Sequence, residues 1–185
     1  MTVPSVEPLA PRSTSSWGLV WKLALRYGGG VGLVCGLWMV GLQLTGSNGF
    51  GPKQLLAQLL VPLAAVASEW GLRGQLKPEK SGLSRSLGVG ALTALLAAAV
   101  SSASMLGLAY GAGEPALARN RAEVLEIMRV QQREGSAIKL SAEQQQQQVD
   151  AIAQMTAGDM AVRNFFQVFL LGMVLAVPAG IFLRE

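Results

Sequence analysis

The side chains that could do chemistry are few. Ser101, Ser102 and Ser104 cluster within one apolar run, Glu69 stands four residues before Arg73, and "GGGVG" begins at Gly28. A serine nucleophile needs a base beside it. The chain has no His, so a Ser-His-Asp triad is excluded, and no Lys stands midway along an apolar run to replace it. The three hydroxyls are expected to bond back to carbonyls of their own helix. Cys35 is the one cysteine, so no internal disulfide forms, and no zinc, haem or copper site is expected where imidazole and thiolate are missing. The glycine run follows no strand and leads to no Lys-Ser or Lys-Thr pair, which rules out a phosphate-binding loop. The expectation is therefore no enzyme: no catalytic residue, no bound cofactor and no metal. Glu69 is the deepest acid of any apolar run. Pumps and transporters carry an ionisable group far inside a span, whereas Glu69 falls near one end, where a surface ion pair with Arg73 is expected in the favourable acid-first order.

These residues must be positioned by membrane helices. Only 14% of the 185 residues are charged, against about 25% in a soluble domain, and the charges crowd into gaps between apolar stretches. A spanning helix needs about 20 mainly apolar residues. Stretches near 23–44, 52–72, 87–110 and 164–183 meet that need. Cys35 within the first reads as a small buried residue rather than a lipidation site, because Val34 stands where a lipoprotein box needs a small side chain. The second is the most polar, with Lys53 and Glu69 near its ends, Pro52 suited to a first turn, and Pro62 expected to kink it.

Residues 1–20 read as a flexible polar tail and 21–185 as one membrane domain. The tail is long for a signal peptide and no small-residue cleavage site follows it, so it is expected to stay. Lys and Arg lie in the tail (Arg12, Lys22, Arg26) and between the second and third spans (Arg73, Lys77, Lys80, Arg85), and are missing from the short 45–51 loop. The positive-inside rule then puts both termini in the cytoplasm. The net charge of +4 reads as topology rather than nucleic-acid binding, because the basic residues sit at the ends of apolar runs.

Residues 114–158 form the one sizeable polar region. They read as an extracytoplasmic helical hairpin: one helix from Pro115 to about Glu134, a break at Gly135 and Ser136, and a second helix from Ser141, where "SAEQ" is a capping box. Gln144 to Gln148 fall in its first turns as a neutral, soluble helix face. Val149, Ile152, Ala153 and Thr156 make its apolar stripe. Gly158 is expected to end it and Asp159 to cap the fourth span.

Small residues recur every fourth position. Gly28, Gly32 and Gly36 share one face of the first span, Gly90, Ala94, Ala98 and Ser102 one face of the third, and Gly172, Ala176 and Gly180 one face of the fourth. Such faces let helix backbones approach closely. Packing within one bundle is favoured, with the first-span triplet the best candidate for a contact between subunits.

The layout resembles a family of small bacterial membrane proteins known only as a domain of unknown function, whose third span begins "fGkalkvG-ll". The matching residues are "GLSRSLGVGALTALLAAAVSSA", Gly82 to Ala103, and the closing "NFFQVFLLGMVLAVPAGIFLRE". Leu83 replaces the family's aromatic. The resemblance implies four spans in a plasma membrane, here the bacterial inner membrane, and supplies no activity. The overall expectation is an all-α polytopic protein with four transmembrane helices. Its expected role is a non-enzymatic scaffold, accessory subunit or sensor using its outer hairpin. The alternative is a small oligomeric channel or transporter packed through glycine-rich faces. Membrane lipids are expected around it, with further copies or other membrane proteins as candidate partners and no nucleic acid.

Overall fold

The computed structural model describes residues 16–78, 82–133 and 141–183. It is all-helical among those residues, and four of its helices are long and apolar enough to cross a membrane. The first is a composite: α1 (Ser16–Ala24) passes through a π-helical turn, Leu25–Gly29, into α2 (Gly30–Leu44). Glycine is a poor helix former, and three in a row at 28–30 are where the regular hydrogen-bond ladder gives way. Residues 16–20, expected in the tail, are already helical, and Val20 is fully buried beside Leu23, Leu72 and Val89.

A short 3₁₀ turn, Pro52–Gln54, leads through α3 (Leu55–Gln58) to α4 (Leu60–Leu76). The interruption at Leu59 has a local cause. Pro62 has no N–H to give the Gln58 carbonyl, so the ladder breaks there, as its position predicts. Next, α5 (Leu83–Arg133) runs far beyond the apolar stretch. It is two helices joined at Gly113, whose φ of 71° closes the first, and Pro115 opens the second. The expected break at Gly135 and Ser136, the tail before Ser16, and Arg184 and Glu185 lie outside the described residues.

The Ser141 capping box forms as expected. The Ser141 hydroxyl accepts from the Gln144 amide at 3.3 Å and the Gln144 side chain accepts from the Ser141 amide at 3.0 Å, opening α6 (Ala142–Ala153). The next junction differs from expectation. Gln154 rather than Gly158 ends α6. Thr156 rather than Asp159 caps α7 (Ala157–Phe182), with Asp159 the third-residue partner of a second capping box. Thr156 wins because its hydroxyl can reach the Asp159 amide at 3.2 Å while Asp159 accepts back from the Thr156 amide at 2.9 Å.

The bundle is assembled through close contacts. Gly28 lies on Thr93, Gly32 on Ala97 and Val100, and Gly36 on Ser104, so the first span runs parallel to α5. Gly180 lies on Leu87, Gly90 on Ala176, and Gly172 on Ala94, so α7 runs antiparallel to it. Ala98 is buried with Cys35, Val61 and Val168 in the middle layer. Every small-residue face singled out from the sequence is thus filled from within the chain. That includes the first-span triplet, which is not left free for a second subunit.

Candidate functional site

Among the described residues, polar side chains buried in the bundle gather at two levels. One lies toward the end carrying the two polar helices, the second half of α5 and α6. The other lies at the opposite end.

At the polar-helix end the loop 45–51 is tied down by side chains of α5. The Arg119 guanidinium donates to the Gly46 carbonyl at 2.7 Å. Asn48 donates to Asn120 Oδ1 at 3.0 Å and to Glu123 Oε2 at 2.7 Å, and its own Oδ1 accepts from the Phe50 amide at 2.9 Å. Arg121 fixes the other side: its Nε and Nη2 donate to the Met155 carbonyl at 2.9 and 2.8 Å, and its Nη1 pairs with Glu114 at 2.5 Å. A pair of donors on one carbonyl holds the α6–α7 junction against α5. Phe50, Met105, Leu117 and Met160 fill the space beneath.

These tethers enclose a cavity of about 610 Å³, within the range of about 300–1,000 Å³ usual for small-molecule sites. Its walls come from residues 48–55, Met105 and the second half of α5, α6 and the start of α7. The lining divides by chemistry. Phe50, Leu55, Val124, Ile127 and Ile152 are apolar, with Met105, Met128, Met155 and Met160 as adaptable thioethers. The polar lining is dominated by carboxamides: Asn48, Gln54, Asn120, Gln131, Gln148, Asn164 and Gln167. One acid, Glu123, and one base, Arg163, complete it.

The floor opens onto a hydrogen-bonded chain inside the bundle. Gln167 Nε2 donates to Gln58 Oε1 at 2.7 Å, and Gln58 Nε2 donates to Asn164 Oδ1 at 2.8 Å. Asn164 Nδ2 reaches Ser101 and Ser102 at 3.0 and 3.2 Å. Gln58 and Asn164 are 1% and 3% exposed, so their partners come from the protein. The serines therefore do not all behave as expected. Ser104 bonds back to the Val100 carbonyl, but Ser101 and Ser102 accept from another helix. Asn164 on α7 supplies a donor that the sequence around the serines does not contain.

Several lining groups keep unused valence. Gln54 Nε2 donates to the Phe50 carbonyl, but Gln54 Oε1 is buried with no partner. The side chains of Gln131, Gln148 and Arg163 make no hydrogen bond among the described residues. Gln148 is the last of the five consecutive glutamines, so that run contributes one side chain to the cavity wall.

At the opposite end Glu69 differs from expectation. It is 1% exposed, wedged against Gly90 with Ala176 beside it, and neither carboxyl oxygen has a hydrogen-bond partner. The expected pair with Arg73 is not made. Glu69 points into the α4–α5–α7 seam, where Gly90 of α5 leaves room for a carboxyl. The adjacent Ser68 accepts from the Thr93 hydroxyl at 2.9 Å in a separate link. Ser86 Oγ is also buried without a partner. Among the described residues no three Cys, Asp or Glu side chains gather as a metal site.

Sequence reasoning missed Gln54, Gln58, Asn120, Glu123 and Gln167. A signal was present. Gln54 and Gln58 are one helical turn apart, and so are Asn164 and Gln167, so each pair marks one polar face at the end of an apolar run. The family model described as a protein of unknown function (DUF4199) matches residues 26–185. No curated protein and no solved structure matches the chain.

Proposed function

We propose that this chain, which belongs to the DUF4199 family of proteins of unknown function, is a non-enzymatic membrane sensor or accessory subunit. Its outer helical hairpin and the adjoining ends of the spans serve as a receptor chamber. The observation that carries the reading is the cavity of about 610 Å³ whose carboxamide floor is continuous with the Gln58–Asn164–Ser101 chain. A group bound at Gln167 or Asn164 competes directly for bonds that hold α4, α5 and α7 together. Occupancy would thus change helix packing without any chemical step. The chamber belongs on the extracytoplasmic side of a bacterial inner membrane, with both termini in the cytoplasm, because Arg73, Lys77, Lys80 and Arg85 lie in the short connection between the second and third spans while the short 45–51 loop has no Lys or Arg.

A channel built from several copies draws less support, since the glycine faces that would join copies are occupied inside one chain. The test uses a photo-crosslinking amino acid at Gln148 in native membranes. Adducts that vanish when Gln54→Leu is added support a receptor chamber. Labelling by bulk phospholipid alone, together with solute flux through the purified protein in liposomes, overturns it. Single cysteines in a Cys35→Ala background check orientation: an impermeant reagent should label Gln147→Cys from outside and Gly74→Cys only after lysis.

A further inference from the structure

Resting on that reading, we infer that the chamber binds a membrane amphiphile with an uncharged, hydroxyl-rich head and an apolar tail. The head is argued from the balance of the lining. The one acid and one base offset each other, so the chamber gives no net charge to attract an ion. What remains is carboxamide, which offers a donor and an acceptor from the same side chain. A hydroxyl is the complementary group, because it also donates and accepts.

The unused atoms sharpen this. Gln54 Oε1 is a buried acceptor without a partner, and Glu123 Oε1 and Gln167 Oε1 are cavity-lining acceptors with no hydrogen bond among the described residues. Acceptors need donors, and a buried acceptor left unmet is destabilising. Phosphodiester and ester oxygens donate nothing, so a head built only from them leaves these atoms unmet. A sugar-like head supplies several donors at once.

The tail is argued from the rim. Leu55 lines the chamber yet is 42% exposed, and it begins the exposed row Leu56, Leu59, Leu60 and Leu63 that continues through α3 into α4. Ile127 lines the facing wall and is 37% exposed. The apolar side of the chamber is therefore continuous with the flank that meets lipid, and a chain can lie across that rim while its head sits among the amides.

The test places the full chain in phosphatidylcholine nanodiscs with dodecyl maltoside carrying a diazirine in its alkyl chain. Dodecylphosphocholine with the same diazirine chain is the second probe. Saturable labelling of the segments around Leu55 and Ile127 by the maltoside probe is expected, displaced by unlabelled dodecyl maltoside. Gln54→Leu should weaken it at least fivefold. Gln131→Leu, an exposed change that leaves the core untouched, should weaken it too. Equal saturable labelling by the phosphocholine probe overturns the assignment of the head. Displacement by free maltose as effective as by dodecyl maltoside overturns the tail, and assigns the site to a soluble saccharide. No saturable labelling overturns the proposal. The receptor reading then stands or falls separately, on whether crosslinks from Gln148 in native membranes still depend on Gln54.

Discussion

At the scale of single residues, the polar chain and the lone acid give opposite expectations. Asn164 satisfies groups on two other helices, so Asn164→Leu should destabilise the fold by about 1–3 kcal/mol in detergent unfolding, because Gln58, Ser101 and Ser102 lose partners while staying buried. A double-mutant cycle between Gln58→Leu and Asn164→Leu should show a coupling of about 0.6–1.7 kcal/mol, the range for interhelical bonds in membranes. An additive result would mean the two do not act as one unit. Glu69 makes no polar contact, so Glu69→Met, close in volume, should leave stability unchanged or raise it. A drop on the scale of Asn164→Leu would show that Glu69 has a partner in the membrane. The sequence displayed both kinds of residue but not their directions. The glutamines and Asn164 sit at helical spacing at the ends of apolar runs, which is visible. Glu69 is buried because Gly90 lacks a side chain, a fact that depends on which helices meet.

At the scale of elements, local grammar was legible and competition between neighbours was not. The Ser141 box needed only four residues to recognise. The Thr156 box was hidden by Asp159, which fits a cap on its own. Thr156→Ala should cost about 1 kcal/mol of stability, and Asp159→Asn should cost less, since it keeps an acceptor; equal losses would return the cap to Asp159. The long α5 carries the other test. Gly113 has φ of 71° with ψ of −175°, a region nearly closed to residues with a Cβ, at a cost of about 1–3 kcal/mol. Gly113→Ala should lower stability by about that amount in thermal unfolding. An unchanged midpoint would mean the two halves of α5 join without a left-handed residue. Helix ends were misjudged where packing rather than composition decides them. Residues 16–20 read as tail because Lys22 and Arg26 cut them off from the uncharged run that follows, yet Val20 is fully buried by other helices.

At the scale of the whole molecule, the four spans and the polar helices between the last two were legible from hydropathy and charge, while their neighbours in space were not. The small-residue faces were visible as spacing, but a sequence does not say whether such a face meets its own chain or another. A methyl at Gly32 would lie 2.8 Å from Val100 Cβ, whereas one at Gly30 has no neighbour within 4 Å. Gly32→Leu should therefore lower thermal stability, by about 1–3 kcal/mol for overpacking, with no change in native mass, and Gly30→Leu should be tolerated. Loss of a higher-order species on Gly32→Leu would restore that face to a subunit contact.

The same contacts set an order on how the protein can be made. The first span and α4 touch each other less than each touches the helices that follow, and α5 is the element both adjoin. A ribosome delivers the first two spans before α5 exists. Until Gly28, Gly32 and Gly36 find Thr93, Ala97 and Ser104, those two helices rest in lipid with their glycine grooves and Gln58 uncovered. The last span then locks the amide chain from the far end of the sequence. Synthesis interrupted after Leu76 should leave a fragment that quality-control proteases remove quickly, while one that reaches Arg133 should persist longer.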